Sequence, residues 1–249
     1  MAYLKKTYKI GDKIETEKVH SGRYGKRGGK NAKKINPTKE EMQKVNERNT
    51  AKKLRRKIEA NFGEGDIHSV LTYRKDERPD VKMAKKYLKD FFIHLRKEYK
   101  KQGQALKYII VTEYKDKAIH HHMIINDVGN TARLLQKLWK FGRPHNTLLD
   151  DTGEYGILAA YLVKETQKTF KEESNPNKLR YTCSRNLVNP EEPPIKKVEV
   201  IKADGWIDIP RPIKGYYIDK ESLISGVSDK TGYPFQYYTM KKIKDVKRE

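Results

Sequence analysis

The chain has 249 residues, with Lys+Arg 55 against Asp+Glu 33, a net charge of +22 and a single cysteine. One cysteine excludes an intrachain disulfide, and the lack of a long apolar run or an N-terminal apolar segment predicts a cytoplasmic protein with no membrane partner. The positive excess, joined by sixteen tyrosines, points to a polyanionic partner and to single-stranded nucleic acid in particular.

Residues 1–37 are basic and glycine-rich, as in the stretch from Ser21 to Lys30, and read as an arm rather than a packed element. A phosphate-cradling loop requires Gly, four residues, then Gly-Lys-Ser/Thr; here Gly29-Lys30 is followed by Asn31, so no ATPase is implied. Thr38 and Glu41 form a capping box that predicts a basic helix to about residue 60. Its apolar stripe of Met42, Val45, Leu54 and Ile58 is thin and predicts weak docking.

Ile67 to Tyr73 is rich in β-branched and aromatic residues and reads as a strand. Between Asp80 and Lys101, Ala84, Leu88, Phe91, Phe92, Leu95 and Tyr99 recur at helical spacing. Tyr108–Tyr114 is the next strand, followed by a turn at Asp116-Lys117 and a strand beginning at His120. Asn130-Thr131 can cap a helix carrying Leu134, Leu135, Leu138 and Trp139 that stops at Gly142. A short strand at about 145–149 and a helix from Gly156 to about Thr169 complete the series. Strand, helix, hairpin, helix, strand and helix in this order predict an α+β fold. After the linker Asn189–Pro194, short runs such as Lys197–Ile201 and Phe235–Met240 predict a small β-rich C-terminal tail. The expected organisation is an arm at 1–37, a main domain at 38–190 and the tail at 191–249.

The densest chemistry lies in Ala118-Ile119-His120-His121-His122-Met123-Ile124-Ile125-Asn126. Alternate side chains of a strand share a face, so His120 and His122 project together while Ile119, His121, Met123 and Ile125 take the other side. A two-residue turn at Asp116-Lys117 makes paired residue numbers sum to 233 and sets Glu113 opposite His120. Two imidazoles and a carboxylate then converge as candidate metal ligands. A three-residue turn would slip the register and send Glu113 to the opposite face. On the later helix, Tyr161 and Lys164 are an i,i+3 pair on one face, where the ammonium can favour phenolate and phosphate charge. His68 and His145 read as structural or exposed residues, and Asn126 and Asp127 as turn and cap residues.

A carboxylate and His-x-His on a hairpin, followed by Tyr-x-x-Lys on a later helix, closely resemble the HUH endonucleases. Among these, the pattern is similar to the single-tyrosine replication initiators of rolling-circle plasmids and small single-stranded DNA phages. Ile67–Tyr73 stands where that family has its first strand motif. Leu138–Gly142 resembles its Trp-x-x-Gly element, and Arg180–Leu187 its Ser-Arg-x-Leu segment; the resemblance spans about residues 40–190. The chain departs from the family in having Ala118-Ile119 where a Gly-Arg pair is common, and His121 where a hydrophobic or aromatic residue is usual. Glu165 stands where two-tyrosine members carry a second tyrosine, so a single-tyrosine scheme is implied.

The resemblance implies a ferredoxin-like or RRM-like antiparallel sheet with the histidines on a central strand. It further implies a divalent cation, Mg²⁺ or Mn²⁺, on Glu113, His120 and His122, with Tyr161 as nucleophile and Lys164 orienting the phosphate. The implied reaction is the nicking and rejoining of single-stranded origin DNA through a 5′-phosphotyrosyl intermediate. Strand separation and synthesis would come from a host helicase and polymerase. Lys168, Arg180, Arg185 and the basic helix at 38–60 are candidates for the DNA path. An HUH-type transposase and a non-catalytic RRM-like nucleic-acid binder are the alternatives.

Overall fold

The computed structural model describes residues 2–21, 38–114, 118–150, 155–167, 180–190, 196–198, 210–228 and 232–243. The chain divides into two compact units, Pro37–Asn189 and a second unit that joins Met1–Asn36 to Pro190–Glu249. In chain order the elements are β1 (Ala2–Ile10), β2 (Lys13–Ser21), α1 (Lys39–Glu59), β3 (Ile67–Thr72), α2 (Val81–Lys101), β4 (Tyr108–Glu113) and β5 (His120–Ile125). They continue as α3 (Thr131–Leu138), β6 (Pro144–Leu148), α4 (Gly156–Gln167), β7 (Thr182–Cys183), β8 (Lys196–Val198), β9 (Tyr216–Val227) and β10 (Pro234–Lys242). The fold is α+β with two antiparallel sheets, consistent with an HUH-like fold.

In the central unit the strand order is β6-β3-β5-β4-β7, and every neighbouring pair is antiparallel. The histidine strand β5 is therefore internal, flanked by β3 and β4. Both faces of this sheet are covered, which is why Tyr108, Ile109, Ile110 and Val111 are all buried and β4 reads as a continuous apolar run. One face packs on α2 and α3, where Phe91, Leu95, Leu135 and Trp139 meet Leu71, Ile110, Met123 and Ile125. The opposite face packs on α1 and α4, where Leu54, Ile58, Ala159, Leu162 and Val163 meet Ile109, Val111 and Ile124.

The periodicities of the helices account for this layering. Asp80 caps α2, its side chain accepting a hydrogen bond from the Met83 amide at 2.7 Å. The buried residues Ala84, Phe91, Phe92, Leu95 and Tyr99 form the predicted stripe, and Gly103 follows at φ 69°. The residues after β5 are tied down as expected. The Asn126 side chain accepts from the Lys107 amide at 2.8 Å, and the Asp127 carboxylate accepts from the Gly129 and Thr131 amides. Helix α1 departs from expectation. Met42 is 45% exposed, but Leu54 and Ile58 are both fully buried. Full burial stabilises such side chains by roughly 1.5–3 kcal/mol each. A thin stripe thus anchors the second half of α1 firmly and leaves the first half in solvent. The Glu41 half of the predicted capping box lies outside the described side chains.

The turn after α3 holds the end of β3. The Trp139 indole donates to the Thr72 carbonyl oxygen at 2.7 Å, and the Arg74 amide donates to the Phe141 carbonyl at 2.9 Å. A Cβ on Gly142 would meet that same Thr72 oxygen at 2.1 Å and the Tyr73 Cα at 3.0 Å. Both obstacles are backbone, so neither can rotate away. Gly142→Ala is expected to cost about 1–3 kcal/mol, as overpacking does, and to lower the melting temperature by several degrees. An unchanged midpoint would show that the turn can open.

The second unit overturns the arm expected at 1–37, because residues 2–21 form a β-hairpin. The chain turns at Gly11-Asp12, with Gly11 at φ 55°, and every residue from Ala2 to Ile10 has a partner in Lys13–Ser21. The hairpin is flanked by β8 and β10 in a sheet of order β8-β1-β2-β10-β9. An isolated hairpin is marginal in water, and this one gains its neighbours from the other end of the chain. Ile14, Tyr238 and Met240 are buried together in this unit. The β-rich C-terminal segment is therefore not a separate tail but part of a sheet with the N-terminus. Residues 22–37 lie outside the described residues. Among the described residues, no helix is long and apolar enough to cross a membrane.

Candidate metal centre and the facing tyrosine

The β4–β5 hairpin adopts the register in which paired residues sum to 233: Glu113 lies opposite His120, Thr112 opposite His121 and Val111 opposite His122. The turn itself lies outside the described residues. Opposed residues share a face, so Glu113, His120 and His122 converge on the side covered by α1 and α4. Glu113 Oε2 is 3.1 Å from His120 Nε2 and 3.6 Å from His122 Nε2. The two Nε2 atoms are 3.2 Å apart. One ligand atom from each of the three residues falls within 4.8 Å of the others. Side-chain exposure is 2% for Glu113, 7% for His122 and 15% for His120, so the cluster is buried with a small opening on the His120 side.

The donor set suits a divalent cation. A carboxylate buried against two imidazoles is costly to leave without positive charge, and two nitrogens with one oxygen match a two-histidine, one-carboxylate site with open positions. His120 is already oriented for this: its Nδ1–H donates to the Ala118 carbonyl oxygen at 2.7 Å, which leaves Nε2 to act as ligand.

His121 points to the other face, as the alternation predicts. It is fully buried, with Nε2 2.7 Å from the Tyr73 hydroxyl and Nδ1 2.9 Å from Thr112 Oγ1, and its ring packs edge-on to Trp139. Burial, reinforced by His120 and His122, lowers its pKa from 6.5 to about 3, so it is a neutral core residue. The unfolded chain takes up this proton near pH 6.5, whereas the folded chain resists it down to about pH 3. The contribution is thus complete above pH 6.5 and declines as pH falls toward 3, by about 1.4 kcal/mol per pH unit. Urea unfolding from pH 7 to pH 4 should show the gap between wild type and His121→Gln narrowing with acid; parallel curves would contradict it.

Tyr161 lies on α4, whose Ala159, Leu162 and Val163 anchor it in the core. Its ring stands edge-on to His122, with centroids 5.3 Å apart and planes at 80°. At 38% exposure it is in contact with the candidate ligands and open to solvent. Lys164, three residues on, is exposed on the same helix. The structure thus brings Glu113, His120, His122 and Tyr161 together on one side of the sheet.

The candidate DNA-contacting residues are less uniform. Arg180 is half-buried; burial lowers its pKa while Glu47 of α1 counteracts this. Arg185 is exposed, and Lys168 lies outside the described residues. Between them in sequence, Tyr181 receives the Lys57 ammonium 5.9 Å from its ring centre, linking this segment to the basic helix.

One residue of the site escapes the sequence reading. His68 Nε2 lies 3.3 Å from His122 Nδ1, and the two rings are stacked. Burial lowers the His68 pKa. Period-two alternation puts His68 on one side of β3 with Val70 and Thr72, but only the β3–β5 pairing reveals that this is the ligand side. His145, also expected to be structural or exposed, is exposed on β6.

Comparison with known proteins gives one family. The family model for the replication-associated protein ORF2 matches residues 66–183. No curated protein and no solved structure matches the chain. The matched span runs from just before β3 into β7 and contains Glu113, His120, His122, Tyr161 and Lys164.

Proposed function

We propose a nicking and joining chemistry for this chain, whose residues 66–183 belong to the replication-associated protein ORF2 family. The substrate is single-stranded origin DNA, and the reaction initiates rolling-circle replication. The observation that carries the reading is the edge-on contact of Tyr161 with His122, one of three residues suited to hold a cation.

In this scheme the Tyr161 phenol oxygen attacks the scissile phosphorus. A bond forms between phosphorus and the tyrosine oxygen, and the bond from phosphorus to the 3′ oxygen breaks. The phenol proton leaves to solvent, and the departing 3′ oxygen takes up a proton to become a free hydroxyl. The DNA end stays on the protein as a 5′-phosphotyrosyl ester. Attack of a 3′-hydroxyl on that ester reverses the sequence and rejoins the strand, with no nucleotide triphosphate consumed.

Glu113, His120 and His122 would hold a divalent cation, Mg²⁺ or Mn²⁺, which supplies Lewis-acid polarisation of the phosphate when bound. The remaining roles belong to the chain's own residues. The packed helix α4 holds the phenol at the edge of the ligand cluster, so little orientation is left to achieve when DNA binds. Lys164 offsets charge developing on the phosphate oxygens. Arg180, Arg185, Lys168 and the solvent-facing half of α1 follow the DNA backbone. A helicase and a polymerase act as partners in strand opening and synthesis.

The test is to incubate the full chain with Mn²⁺ and a 3′-labelled single-stranded library, then denature. A labelled adduct that survives denaturation is expected. Retention of DNA without any such adduct would instead favour a non-catalytic binder.

A further inference from the structure

Behind the candidate metal centre stands a further histidine. Strand β3 pairs with β5 so that Val70 lies opposite His122 and His68 opposite Ile124. Opposed residues share a sheet face, so His68 stands on the ligand side, diagonal to His122. Its Nε2 is 3.3 Å from His122 Nδ1, and the rings are 13° from parallel with centroids 5.5 Å apart.

A neutral imidazole carries one proton on one of two nitrogens. The nitrogen of His122 that faces Glu113 and His120 is Nε2, at 3.6 Å and 3.2 Å. To bind a cation that atom must be bare, so the proton must sit on Nδ1, and the hydrogen bond made there decides which tautomer forms. For His120 the partner on Nδ1 is the Ala118 carbonyl oxygen, which can only accept. For His122 an imidazole nitrogen occupies the corresponding position.

We infer that His68 is a positioning residue that accepts the Nδ1–H of His122, thereby fixing which nitrogen faces the metal centre and how the ring is turned. This rests on Glu113, His120 and His122 holding a divalent cation; it does not depend on the nicking reaction. The proton arrangement that follows is specific. His122 carries its proton on Nδ1, and His68 carries its own on Nδ1 with Nε2 bare. The parallel rings also limit the rotation of His122 about its side-chain bonds.

The experiment uses the full chain and three readouts: imidazole ¹H–¹⁵N spectra without metal, Mn²⁺ affinity by calorimetry, and the melting temperature. In the wild-type protein His122 is expected to be protonated at Nδ1; a proton at Nε2 overturns the inference with no variant needed. His68→Phe keeps a flat ring but removes the acceptor. It is expected to weaken Mn²⁺ binding about 10–100-fold, the usual effect of losing such a partner, and to turn His122 into a mixture of tautomers. His68→Gln, whose side-chain oxygen can accept, should recover part of the affinity. Wild-type affinity in His68→Phe, or a His68→Gln variant no better than His68→Phe, overturns the inference. Failure of the wild-type chain to bind Mn²⁺ overturns it together with the metal centre. Loss of the DNA adduct with Mn²⁺ binding intact counts against the nicking reading alone.

Discussion

Tyr161→Phe should abolish the covalent DNA adduct while leaving single-strand binding within about twofold and the melting temperature unchanged. The substitution removes one oxygen from a side chain that is 38% exposed and keeps the ring that packs edge-on to His122. The residues that seat α4 are its neighbours Ala159, Leu162 and Val163, which are untouched. Affinity for DNA comes mainly from phosphate contacts by cations, and the phenol oxygen is not one of these. The effect should therefore be confined to chemistry. A denaturation-resistant adduct in Tyr161→Phe would reject this residue as the nucleophile, and a large drop in DNA binding would reassign it to substrate binding.

Removal of the metal should be nearly as severe. Chelation of divalent cations, or His122→Ala, is expected to reduce nicking on the order of a thousandfold, since polarisation of a phosphoryl oxygen supplies several kcal/mol at about 1.4 kcal/mol per factor of ten. The physical ground is Glu113, whose side chain is 2% exposed and set against two imidazole nitrogens. A cation there binds only the folded chain, so Mn²⁺ should also raise the wild-type melting temperature in proportion to its concentration over its dissociation constant. His122→Ala should lose that stabilisation along with the activity. Nicking that persists in chelator, or a melting temperature that ignores Mn²⁺ in the wild type, would remove the metal from the account.

The centre of the fold could be read from residues because its signals are local. The spacing of Phe91, Phe92, Leu95 and Tyr99 belongs to one helix, and the alternation of His120, His121 and His122 belongs to one strand. The register that brings Glu113 opposite His120 follows from a tight turn only a few residues away. What depends on distant pairing was not legible in this way. Lys5, Lys6 and Lys9 give residues 2–10 the composition of an arm, yet Tyr3, Tyr8 and Ile10 between them are buried. The strands that flank this hairpin lie at 196–198 and 234–242. Leu54 and Ile58 were visible as a stripe, but how deeply they bury depends on where α4 lands. His68 belongs to the site only because β3 runs beside β5, a neighbour relation that no local pattern encodes.

The central claim is that Tyr161 becomes joined to DNA. The most direct measurement is mass spectrometry of the digested adduct formed with Mn²⁺ and single-stranded DNA. The account predicts a single modified peptide, with Tyr161 carrying the 5′-phosphate of the nucleotide downstream of the nick. A nucleotide attached to any other residue, or through a 3′-phosphate, would contradict it.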